Sequence, residues 1–191
     1  MWKMVSGMKQ NNYVSTIYKI AFAQFFILFN LNINTINLLP NWVGYYLFHK
    51  ALPVIGEYEE SAKLLRPFTF ILGIYEMIVW VLQIINISLE SYTILQVIIG
   101  VISIYFQFQL LTNISDIAYS HHFDTFAKRF KTLRTMSVIS VTFASLPIDW
   151  SMIKYMNLVI GLFGIMVMIW LCFVLVQYAN AEKEYKKELA N

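Results

Sequence analysis

Six stretches of this chain come close to the length and apolarity needed to cross a lipid bilayer, and no other feature restricts its fold as tightly. A span needs about 20 mostly apolar residues, because hydrocarbon offers no partner to an exposed backbone N–H or C=O. The stretches cover about 13–33, 38–55, 67–85, 92–112, 133–148 and 155–179, the second and fifth being shorter and interrupted. Composition agrees, with 59% hydrophobic residues, 13% charged ones and a mean hydropathy of +0.60. Soluble domains carry about 45–50% apolar and about 25% charged residues. A soluble enzyme, a disordered tail and a disulfide scaffold are therefore poor fits, and the single Cys172 has no intrachain partner. The expected fold is all-α: one polytopic transmembrane domain over 1–191, with six helices in a single bundle.

Charge placement orients that bundle. With the N-terminus in the cytoplasm and all six stretches crossing, 13 of the 14 Lys and Arg residues fall on the inner side and only Lys154 outside. Such a bias is the usual determinant of orientation, so both termini are expected in the cytoplasm. Lys3 and Lys9 precede an apolar core at 20–29, as in a signal peptide, but Asn30-Leu31-Asn32 follows in place of small residues, so a retained helix is expected. Trp42, Tyr45, Tyr46, Tyr92, Trp150 and Tyr155 then lie near the outer interface, where amphipathic rings prefer to sit. The charge of +3 is spread between apolar blocks, which speaks for topology and against nucleic acid. The inner loops, around Glu57–Arg66 and Ser120–Arg134, are expected to lie on the anionic leaflet or to dock a partner protein.

Polar residues inside the spans form stripes at helical spacing. Thr69, Gly73, Glu76, Trp80 and Gln83 share one face of the third, and Gln96, Gly100, Ser103 and Gln107 one face of the fourth. Asn157, Gly161, Gly164 and Met168 do so in the sixth, and Asn30, Asn34, Asn37 and Asn41 continue the first. Two readings stand. Small and polar residues let membrane helices approach and hydrogen-bond, so leucine at Gly100 or Gly161 is expected to overpack the bundle. Alternatively the stripes line a cavity for a small solute or ion. Glu76 favours the second, since a charge at mid-span costs at least about 2.5 kcal/mol on insertion scales and is usually functional. Its alternative is a neutral acid bonded to a neighbour such as Gln107 or Tyr105.

The marks of membrane enzymes are missing. There is no His-Glu-x-x-His, and Glu59-Glu60 is followed by Ser61-Ala62-Lys63-Leu64, with Arg66 too late for the glutamate-type intramembrane proteases. His49, His121 and His122 all fall near the inner surface, away from a serine at depth, and no phosphate-binding loop is present. His121 and His122 beside Asp116 and Asp124 read as ordinary surface residues before they read as a metal site. No cofactor and no metal are expected. A lipid-modifying enzyme would need its acids and histidines to converge near the inner leaflet.

The stretch Phe29-Asn30-Leu31-Asn32-Ile33-Asn34, followed by Ile36 to Leu47 with Leu39-Pro40-Asn41-Trp42-Val43-Gly44-Tyr45, resembles a signature of small integral membrane proteins of low-GC Gram-positive bacteria. That family carries Leu-Pro-Asp/Asn-x-x-Gly-Tyr-x-Leu after an Asn-rich helix end, and Asn41 stands where an acid is common. The resemblance covers about Phe29 to Arg66 and implies a multi-pass protein of a bacterial plasma membrane, without an assigned activity. In this reading Pro40 opens a helix and Gly44 permits close approach to another. The expected role is binding or translocating a small solute or ion, alone or as the membrane subunit of a transporter. The candidate site residues are Glu76, Thr69, Gln83, Gln96, Ser103, Gln107, Asn30, Asn34 and Asn37. The alternative is an accessory or signalling protein whose inner loops bind a partner.

Overall fold

The computed structural model describes residues 2–28, 32–33, 36–37, 39–85, 93–145 and 155–190. Within them six α-helices carry the fold: α1 Trp2–Leu28, α2 Asn41–Ile55, α3 Arg66–Ile84, α4 Thr93–Ser120, α5 Asp124–Ser145 and α6 Met156–Ala190. A 3-10 turn, Glu60–Leu65, joins α2 to α3. Each helix packs on the next in sequence and α6 closes back on α1, with the thinnest contact between α3 and α4. One contiguous core runs through all six, from Tyr13 and Ile17 through Phe48 and Leu110 to Phe130 and Leu175.

Three helices, α3, α4 and α6, are long and apolar enough to cross a membrane. Their outward faces are apolar: Phe70, Ile74 and Ile78 on α3, Ile94 and Val101 on α4, and Met166 and Phe173 on α6 are exposed. Contiguous apolar surface on this scale is not tolerated in water and suits lipid.

The largest departure from the periodicity reading lies after α1. The first stretch does not stay helical to residue 33. α1 ends at Leu28, and Asn32–Ile33 pairs antiparallel with Ile36–Asn37, Asn32 opposite Asn37. Asn37 therefore belongs to a two-residue strand and not to a helical stripe, while Asn30 and Asn34 lie outside the described residues. Asparagine competes with helix by hydrogen-bonding the local backbone, so an Asn-rich run favours a turn over a continued helix. The strand Ile36–Asn37 touches α3.

The second departure is at the α4–α5 junction. Residues 120–134 are not a solvated connector, because α4 runs on to Ser120 and α5 already starts at Asp124. His122 takes φ 65°, Phe123 N donates to Ala118 O at 2.8 Å, and His122 N donates to Tyr119 O at 3.0 Å. That is a Schellman stop with a left-handed residue closing the last turn. The basic residues that follow form the first turns of α5, with Lys128, Arg129 and Lys131 exposed and Ala127, Phe130 and Leu133 inside.

Glycine contacts separate the packing faces from the others. A Cβ on Gly44 would sit 2.8 Å from Ala23 O and 2.9 Å from Ile27 Cγ1, so α1 and α2 cross where only glycine fits. On α6 a Cβ at Gly164 would meet Ser140 Oγ at 2.9 Å, whereas one at Gly161 would meet nothing within 4 Å. The expected overpacking at Gly161 is thereby corrected. The stripe of α6 was placed about one residue off, and its buried face carries Val167, Leu171, Val174, Tyr178 and Glu182.

Candidate functional site

α2 has 15 residues, about 22 Å of helix, well short of a hydrocarbon core of about 30 Å. Paired contacts show where it sits against α3. His49 Nδ1 lies 3.0 Å from Thr69 Oγ1, a Cβ on Gly73 would lie 3.4 Å from Tyr45 Cβ, and Asn41 Nδ2 donates to Glu76 Oε2 at 3.1 Å. The two helices are antiparallel, and α2 begins at the level of Glu76, halfway along α3. Trp42 and Trp80 meet edge to face just beyond, at 6.3 Å between centroids.

This answers what offsets the cost of a mid-span acid that makes no ion pair among the described residues. The first turn of α2, the positive end of its dipole, lies at the Glu76 carboxyl, and Asn41 supplies a direct donor. Gln107 and Tyr105 are not its partners; the acid is held by α2, which the stripe on α3 alone did not show.

From Glu76 a line of polar groups enters the bundle. Tyr45 on α2 lies within electrostatic reach of the Glu76 carboxyl and beside the Ser103 side chain of α4. One turn along α4, the side chain of Gln107 accepts from Gln24 Nε2 of α1 at 3.1 Å. Both glutamines are buried, yet Gln24 Oε1 and Gln107 Nε2 have no hydrogen-bond partner, nor do Asn41 Oδ1 and Trp42 Nε1 at the other end. Each such atom costs on the order of 1–3 kcal/mol.

Of the sequence candidates, then, Glu76, Ser103 and Gln107 join one line. Thr69 is buried but lies two turns inward of Glu76, where it bonds His49 and donates to Arg66 O at 2.7 Å. A groove of about 380 Å³ lined by Trp42, Tyr45, His49, Thr69 and Gly73 runs between the two positions. Gln83 and Gln96 are exposed near the far ends of α3 and α4 and do not converge on it. Gln24 and Tyr45 were missed, and Asn41 was read as part of a stripe but not as a site residue. Gln24 had a visible signal, being the one polar residue between Ile20 and Phe29.

A second polar cluster closes the opposite end. Glu182 on α6 is 0% exposed, and its Oε1 accepts from Tyr178 Oη at 2.7 Å and lies 2.6 Å from His121 Nδ1. Tyr178 Oη lies 3.1 Å from Tyr13 Oη, and the rings of Tyr13 and Tyr58 stand against the His121 imidazole. Burial, then the carboxyls of Glu57 and Glu182, push the Tyr58 phenol above its ordinary pKa and keep it protonated. His121 is thus no ordinary surface residue, as the sequence had implied: it locks the α4–α5 turn to α1 and α6. One histidine and one acid do converge, with the carboxyl on Nδ1 as in a general-base pair. Among the described residues, however, no serine or cysteine bonds His121, and no three His, Cys, Asp or Glu side chains gather as a metal site. The arrangement reads as a structural junction.

The polar line at Glu76, set where the short helix α2 starts, is the candidate site. Comparison of this chain with protein-family models, with curated protein sequences and with solved structures finds no match.

Proposed function

We propose that this chain is a six-span protein of a bacterial plasma membrane, both termini cytoplasmic, that binds or passes a small polar solute or ion at Glu76. The observation that carries the reading is the level at which α1 and α2 stop. α2 begins beside the middle of α3, and α1, which crosses α2 at Gly44, ends within about one turn of that level, so the eight residues of α3 beyond Glu76, about 12 Å of helix, run past it. In membranes, non-helical backbone at depth is tolerated where it is buried or lines a water-filled cavity. Broken helices whose ends face a site are the common device of transporters. The unpartnered atoms of Asn41, Trp42, Gln107 and Gln24 support the same reading, because a polar ligand would relieve their cost.

Glu76→Gln tests it. Glutamine keeps the shape and a bond to Asn41, so detergent melting should change little. Infrared titration of the native protein should show a carboxyl band that exchanges in heavy water and is missing from the variant. A carboxyl that never exchanges would overturn the cavity reading. It would favour the partner-docking alternative, which rests on the exposed Lys128, Arg129 and Lys131 of α5.

The topology is tested separately, in a Cys172→Ala background. Cysteines at Thr93 and Ser151 should react with an impermeant thiol reagent on intact cells, and cysteines at Glu60 and Thr125 only after lysis. Glu60 is a sounder inner reporter than Ser61, whose hydroxyl bonds the Asn113 side chain at 2.7 Å. Labelling of Glu60→Cys from outside would remove the second crossing.

A further inference from the structure

We infer that the outward face of α1, recessed between α2 and α6, binds one anionic phospholipid, its phosphate at Lys19 and an acyl chain along the groove beyond. The inference rests on the membrane-spanning reading and not on the solute site at Glu76.

The groove encloses about 640 Å³. Its long part is apolar, lined by Phe22, Phe25, Leu47 and Val176, while Ser15 and Lys19 stand at one end. From Lys19 to Phe25 is six residues, about 9 Å of helix. That is more than half of one leaflet's share, about 15 Å, of a hydrocarbon core of about 30 Å. Tyr18, at the same end, is held by a hydrogen bond from its hydroxyl to Asn180 Oδ1, which fixes α6 against α1 and keeps the groove open at this level.

Charge then selects the occupant. Lys19 is exposed and makes no ion pair among the described residues. The Gly44–Ala23 contact sets the register of α2 on α1. Lys50 lies six residues inward of Gly44 and Lys19 four residues inward of Ala23, so their backbones differ in depth by only about 3 Å. Lys50 is exposed and stacks over the Tyr46 ring at 5.5 Å, and Lys183 is exposed on the inner end of α6. Of the two acids that flank Lys183, Glu182 is buried and turned to His121, while Glu184 is exposed and leaves Lys19 and Lys50 as the cations that weigh most. Three cations at the inner end of an apolar groove complement an anionic headgroup and the first part of its tail. Lysine reaches such a level by extending its stem along apolar surface.

The test uses the full chain in neutral detergent with dioleoyl phosphatidylglycerol or dioleoyl phosphatidylcholine, read by native mass spectrometry. The expected result is one retained phosphatidylglycerol, in clear preference to phosphatidylcholine. Lys19→Gln should weaken it about fivefold, the effect of one basic residue beside an anionic surface. Lys128→Gln, on α5, should leave it unchanged. Val176→Trp fills the groove and should expel the lipid, and Leu47→Phe does so from the other wall if the first variant fails to fold. Equal retention of the two lipids, or no effect of Lys19→Gln, overturns the inference. So does displacement by inorganic phosphate alone, which would mark a headgroup site without a chain. Because Glu76→Gln is expected to leave the lipid adduct intact, failure of either reading is distinguishable from failure of the other.

Discussion

Glu182→Ala is expected to destabilise the folded bundle by about 3–5 kcal/mol, the sum of two lost buried hydrogen bonds and a new cavity. The carboxyl is fully buried and meets Tyr178 and His121 at once, and through Tyr178 it reaches Tyr13. Truncation leaves a phenol and an imidazole nitrogen without their acceptor, each at about 1–3 kcal/mol, and opens a cavity besides. Three elements loosen together: α1 around Tyr13, the α4–α5 turn and the C-terminal part of α6. Unfolding in mixed detergent gives the readout. Glu182→Gln should recover most of the loss, because both described bonds use Oε1 and Oε2 has no hydrogen-bond partner. A loss below about 1 kcal/mol for the alanine variant would mean that apolar packing alone holds the junction.

Gly44→Leu is expected to cost about 3 kcal/mol, the upper part of the range for overpacking. The first atom that a side chain would meet is the Ala23 backbone oxygen, which cannot rotate away, so α1 itself has to move. That displacement carries Gln24 with it and breaks the Gln24–Gln107 bond, 3.1 Å long, at the inner end of the polar line. Gly161→Leu on α6 should be nearly silent, since its Cβ would point into open space. Equal melting shifts for the two variants would contradict the α1–α2 crossing described above.

Much of the fold was legible because bilayers impose simple rules. The helices end within a few residues of the apolar stretches at α2 and α3, where an apolar run bounded by Pro40, Gly56 and Pro67 leaves little choice. Periodicity also placed Glu76, Ser103 and Gln107 on inward faces. It failed where the local signal was ambiguous. Asparagines at 30, 34 and 37 keep helical spacing, yet the backbone pairs Asn32 with Asn37, because spacing does not register the competition of asparagine with the helix. On α6, small residues at Gly161 and Gly164 looked equivalent, and only the approach of Ser140 separates them.

The apolar composition, the number of helices and the inward placement of Thr69, Glu76, Ser103 and Gln107, though not of Gln83 and Gln96, follow from the chain alone, since they depend on transfer from water and on a 3.6-residue period. What Glu76 touches does not. Its partner Asn41 is 35 positions away and meets it because α2 is short and antiparallel to α3. The pairing of His121 with Glu182, across 61 residues, was hidden in the same way. Glu182 sits in a lysine-rich tail that reads as solvated, and it is the closure of α6 onto α1 that buries it. A period reports which face a residue occupies, whereas the identity of the group facing it is fixed by helix lengths, crossing points and register between helices far apart in the chain.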